Sequence, residues 1–104
     1  MDFIKIENLA KQYRKNILFA AYSAGAKSAH IGGALSIVEI VACLYGEVMN
    51  LDPKNPLNSN RDRLILSKGH ACLALYSALA EKGYFEREEL KNFEKSGSFL
   101  LGHP

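Results

Sequence analysis

From residue 3 onward the apolar positions recur at three- and four-residue steps: Ile6, Leu9, Ala10, Tyr13, Ile17, Ala20, Ala21 and Ala24. Lys5, Lys11, Arg14 and Lys15 lie mostly off that stripe, so the spacing predicts an amphipathic helix over about residues 3–23. It should end in SAGAKSAHIGG, where Gly25, Gly32 and Gly33 argue against continued helix. A second helix is expected from Ser36, which stands three residues before Glu39 as in a capping box. The run IVEIVACLYGEVM that follows is apolar on almost every side, and such a helix needs cover on more than one face. NLDPKNPLNSN, with two prolines and four asparagines, reads as a chain of turns. Residues 61–67 then have the length and apolar run of a strand, and residues about 70–82 those of a helix closed by Gly83. A short amphipathic helix, EREELKNFEK, precedes SGSFLLGHP.

That order is four helices and about one strand. A lone strand forms no sheet, so the chain is either all helical or the opening portion of an α/β domain. The strand-to-helix turn at SKGHA and the abrupt end at Pro104 favour the second, a single partial domain over residues 1–104.

Composition narrows the function. The chain is 48% hydrophobic and 23% charged, as globular domains are, with a formal net charge of +2. Its cations are interleaved with acids, so no basic block exists for nucleic acid. Cys43 and Cys72 lie in apolar segments without ligand spacing and read as reduced core residues. The N-terminus has no signal-peptide core, and the uncharged run from Ile40 to Tyr45 is far too short to cross a bilayer. A soluble, cytoplasmic protein with no membrane partner is expected.

The three histidines each adjoin glycine outside the predicted helix interiors: His30 in SAHIGG, His70 in SKGHA and His103 in LGHP. Glycine lets backbone approach a ligand, and imidazole can donate, accept or carry charge near neutral pH. His70 has the strongest physical case, because a residue opening a helix after a strand sits by free amides and the positive end of the dipole, an anion site. The plainer alternative is a histidine that caps the helix or fills the turn. The histidines are tens of residues apart with no acid in their loops, which matches no local metal motif. No GxSxG elbow, Walker loop or GxGxxG is present.

The succession SAHIGGALSIVEIVACLY, DRLILSKGHACLALYSALAEKGYF and EELKNFEKSGSFLLGHP resembles the N-terminal part of transketolases from about residue 8 onward. It is most similar to the small amino-terminal subunit of split transketolases. The resemblance implies a thiamine diphosphate-binding domain, helices flanking a parallel sheet, working with thiamine diphosphate and Mg²⁺. It implies that His70, with Gly69, contacts the cofactor diphosphate. His30 would lie near the sugar hydroxyls, and His103 would reach the substrate and the reacting end of the cofactor, so both are the candidate catalytic and substrate-binding residues. The reaction implied is transfer of a two-carbon ketol unit between sugar phosphates.

Ile31 stands where many full-length members have proline, as it does in split subunits. The family's metal motif, GDG followed by asparagine, is absent from the sequence, so no metal ligand is assigned. The pyrimidine-binding domain with its glutamate, and the arginines that grip the sugar phosphate, are absent too. A truncated chain, inactive alone, is therefore expected, with a C-terminal transketolase subunit or the missing remainder as partner in a dimeric assembly. The alternatives are an enzyme like 1-deoxyxylulose-5-phosphate synthase and a non-catalytic helical interaction module.

Overall fold

The computed structural model describes residues 2–24, 31–67 and 71–92. Helix α1 runs Phe3–Ala24, α2 Ile31–Leu35, α3 Val38–Cys43 and α4 Cys72–Lys82; a π turn at Leu44–Val48 continues α3, and a 3₁₀ helix covers Arg87–Asn92. Helix α1 is the scaffold: α2, α3, α4, the π turn and the 3₁₀ helix all pack on it. Its predicted stripe is the buried face, with Ala10, Tyr13, Ile17, Ala20 and Ala21 in one core with Val38, Val41, Leu73, Ala74, Ala78 and Leu90. Ser77 Oγ donates to the Tyr13 carbonyl at 3.4 Å, tying α4 to α1 inside that core. Among the described residues no helix is long and apolar enough to cross a membrane.

Helix α4 ends as predicted. Gly83 takes φ 105°, its amide donates to the Leu79 and Ala80 carbonyls, and the Tyr84 amide donates to Leu79 at 3.0 Å. The second helix differs from expectation. Gly32 and Gly33 lie inside α2, because Ala34 is fully buried and α2 packs on α1 and α4; tertiary contact outweighs glycine's poor propensity. The capping box does not form. Ser36 Oγ donates back to the Gly33 carbonyl at 2.8 Å, the N-cap of α3 is Ile37 with no side-chain cap, and the Glu39 carboxylate instead receives Arg14 Nη2 of α1. Helix α3 then widens into the π turn, closed by the Met49 amide donating to the Leu44 carbonyl at 2.8 Å. A Cβ on Gly46 would stand 2.6 Å from Leu9 Cδ1, so a side chain there would have to displace the leucine tip of α1.

The expected strand is not formed among the described residues. Residues 61–66 have no regular secondary structure, although their burial alternates: Leu64 and Leu66 are half-buried and Ile65 is exposed. A strand exists only by pairing, and among the described residues no second strand offers a ladder. The turn-rich connection closes at its base, where the Asn50 amide donates to Asp62 Oδ2 at 2.5 Å and the Asp62 amide to the Asn50 carbonyl at 2.9 Å. The predicted last helix begins as the 3₁₀ helix, and its end lies outside the described residues.

Candidate functional site

All four candidate residues, His30, Gly69, His70 and His103, lie outside the described residues. What the structure fixes is the framework each one adjoins. His30 immediately precedes α2, and Gly69 and His70 immediately precede Ala71 and α4. Helices α2 and α4 pack on each other and on α1. Ala34, Ala71, Cys72, Leu73 and Ala74 are all buried, so the start of α4 is seated in the core rather than frayed. The N-cap residue of α4 is Ala71, which has no polar side chain to cap it. The helix dipole leaves that end partly positive.

The framework on the far side is held by a polar hub that the apolar pattern did not flag. Asn16 is fully buried. Its Oδ1 accepts from Gln12 Nε2 at 3.0 Å and from Arg87 Nε at 2.7 Å, and its Nδ2 donates to Glu81 Oε1 at 2.8 Å. One side chain thereby joins α1, α4 and the 3₁₀ helix that leads towards residue 103. The Arg87 guanidinium also lies 5.5 Å from the centre of the Phe19 ring, a cation–π contact. The available sequence signal was a polar residue three positions from Tyr13 and four from Ala20, at the edge of the stripe. Its partners lie 65 and 71 residues away, beyond any local pattern.

Burial, then the charge of Glu81 and the nearness of Tyr45, pushes the Tyr13 phenol up to about 12; burial, then Tyr84, raises Tyr45. Both are therefore neutral hydroxyls at physiological pH. Cys43 and Cys72 form no disulfide and are half-buried and buried, as expected of core residues. Among the described residues no group of three or more histidine, cysteine or acidic side chains could hold a metal.

Residues 8–104 match the transketolase thiamine diphosphate-binding domain. The chain belongs to the transketolase family. The family domain is α/β, and the regular elements among the described residues are all helical. A 6-deoxy-6-sulfo-D-fructose transketolase subunit from Clostridium sp. is 53% identical over 71% of this chain, which spans 27% of that protein. One of the subunits of an apulose-4-phosphate transketolase from Phocaeicola vulgatus is 38% identical over the whole chain, which spans 36% of it. A transketolase from Treponema pallidum is 46% identical over 76% of this chain, which spans 12% of it. The likeness to small subunits of split transketolases is thus shown, and the chain spans about a third or less of these relatives.

Proposed function

We propose that this chain is the opening part of a transketolase-type enzyme that moves a two-carbon ketol unit between sugar phosphates with thiamine diphosphate and Mg²⁺. The observation that carries this reading is the family match over residues 8–104, which includes all three glycine–histidine loops. In it, Gly69 and His70 hold the cofactor diphosphate. The seated start of α4 supports this, since the positive end of the helix dipole directly follows His70 in the chain. Thiamine diphosphate, when bound, supplies the charge stabilisation that breaking a ketose carbon–carbon bond requires.

His30 meets sugar hydroxyls from the start of α2, and His103 approaches the reacting end. Either imidazole can hold or move a proton at a hydroxyl oxygen near neutral pH. The metal is a separate matter. Neither the sequence nor the described residues offer its ligands, so no step is assigned to Mg²⁺ here. The metal ligands and pyrimidine site then come from a C-terminal subunit or a longer form of the protein, in a dimeric, cytoplasmic assembly. In that assembly residues 61–67 gain a neighbouring strand and join a parallel sheet. The synthase alternative gains no support from the relatives above, which are transketolases.

Ketol transfer should be measured for the chain alone and with a polypeptide carrying the missing motifs, with thiamine diphosphate and Mg²⁺ present. Transfer is expected only in the complemented sample. There His70→Ala should raise the cofactor requirement about ten- to a hundredfold, the loss of one charge-assisted hydrogen bond. His30→Ala and His103→Ala should lower turnover on the order of 10²-fold with cofactor affinity intact. A complemented enzyme indifferent to all three substitutions would refute the assignment, and a complemented sample without transfer would refute the reaction.

A further inference from the structure

The connection from Asn50 to Asp62 holds four of the chain's seven asparagines: Asn50, Asn55, Asn58 and Asn60. An asparagine can modify itself when the next backbone nitrogen attacks its side-chain carbonyl carbon. Which one reacts is decided by a small following residue, an uncommitted amide on that residue, and a donor for the charge that develops on the oxygen. Asn55 precedes Pro56, which has no N–H. Asn50 precedes Leu51, whose branched side chain crowds the approach. Asn60 precedes Arg61, whose amide is committed to the Asn58 carbonyl at 3.1 Å.

Asn58 meets all three conditions. It is followed by the small, exposed Ser59, whose amide donates to no acceptor among the described residues. Asn58 heads a β-turn, its carbonyl accepting from the Arg61 amide at 3.1 Å and from Arg61 Nη1 at 3.0 Å. Its Oδ1 accepts from the Asn60 amide at 3.0 Å, which folds the side chain back over the Ser59 peptide. That fold carries Cγ towards the Ser59 nitrogen and polarises the carbonyl that would be attacked. Outside the loop, Asn8 and Asn16 lie within α1, where the following amides are committed to the helix. Asn92 precedes the bulky Phe93.

We propose that Asn58 is a site of self-modification, at which the Ser59 nitrogen displaces ammonia from the asparagine side chain. Water or hydroxide takes the Ser59 N–H proton, and the nitrogen attacks Cγ of Asn58. The carbonyl electron pair moves onto Oδ1, where the Asn60 amide meets the oxyanion. The Cγ–Nδ2 bond then breaks, and Nδ2 takes up a proton and leaves as ammonia, closing a cyclic imide. Water opens the imide at either carbonyl, leaving aspartate or isoaspartate at position 58. Nothing but water is consumed. Either product adds a carboxylate and lowers the formal net charge of +2 by one. Isoaspartate also reroutes the main chain through the side-chain carbon, so the turn that Arg61 closes is lost. The base of the loop, where Asn50 and Asp62 bond through their backbones at 2.9 Å, lies outside the altered turn.

The whole chain should be held at physiological temperature and mildly alkaline pH for weeks, with samples digested in acid and mapped by mass spectrometry. Position 58 is expected to gain the mass of OH for NH₂ first, severalfold faster than any other asparagine. Ammonia release and a more acidic band on isoelectric focusing should keep pace with it, and isoaspartyl methyltransferase should label the same peptide. Ser59→Pro removes the attacking N–H at the turn position that proline favours. It should therefore abolish conversion at Asn58 while leaving the melting temperature at the parent's value. Ser59→Gly should speed conversion severalfold, because the attacking nitrogen is then less crowded. Conversion led by another asparagine, conversion at Asn58 that survives Ser59→Pro, or no conversion at all would overturn the site.

Discussion

Ile17 and Ile40 mark two regions built on different terms. Ile17, on α1, is fully buried; Ile40, on α3, is 62% exposed. Around Ile17 the inner face of α1 is answered: α4 covers one side of it, the 3₁₀ helix another, and the Asn16 hub joins all three through its side-chain amide. Around Ile40 the segment is apolar on nearly all sides but is covered on one only. Val38, Val41 and Ala42 face α1 and the core, while Ile40 and Val48 face outward, as do Leu57 and Ile65 in the segments that follow. Hydrophobicity alone therefore does not create a core. Burial needs a second surface of matching shape, and here one half of the molecule has it.

The sharpest test substitutes the same residue in both regions. Ile17→Ala should cost about 2–5 kcal/mol by lost burial and a residual cavity. Ile40→Ala should cost less than about 0.5 kcal/mol, as surface changes do. Urea unfolding of the two variants measures both, and equal costs would abolish the distinction.

High pH probes the sealed half next. The Tyr13 phenol titrates near 10 in the unfolded chain and at about 12 in the fold. Between these values the folded state holds the extra proton, so stability falls as pH rises, and it is unaffected below pH 10. The loss should approach about 2–3 kcal/mol by pH 12, and Tyr13→Phe should remove most of that slope. A slope unchanged by the substitution would place the titration elsewhere.

The hub comes third. Asn16→Ala leaves Arg87 and Glu81 without their shared partner and should cost about 1–3 kcal/mol. Amide hydrogen exchange should show the 3₁₀ helix losing protection before α4. Uniform loss across both elements would mean that Asn16 supports the core in general rather than the junction. The smallest effect belongs to the open half. Ile40→Lys with Ile65→Lys should change the unfolding free energy by less than about 1 kcal/mol while reducing self-association in sedimentation, because apolar surface is what associates.

Much of the framework was legible in sequence because its causes are local. The stripe of α1 is a property of its own spacing, and it predicted both the helix and the buried face. Gly83 marked the end of α4 because the left-handed turn there is a backbone requirement of one residue. The histidine loops were legible as candidate chemistry, and the family match includes them within its span. Ser36 shows where such reading fails. Its spacing from Glu39 fits a capping box, but Arg14 on another helix takes the glutamate and the hydroxyl turns back to Gly33.

What only the tertiary structure decided are the pairings between distant segments. Gly32 and Gly33 are helical because α1 and α4 receive Ala34. Asn16 is a core residue because Glu81 and Arg87 arrive to satisfy it. Residues 61–66 alternate like a strand but form none among the described residues, because a ladder needs a neighbour. A helix satisfies its backbone within itself, so sequence can specify it. A sheet and a buried amide are each completed by residues far along the chain, and local pattern carries no record of who they will be.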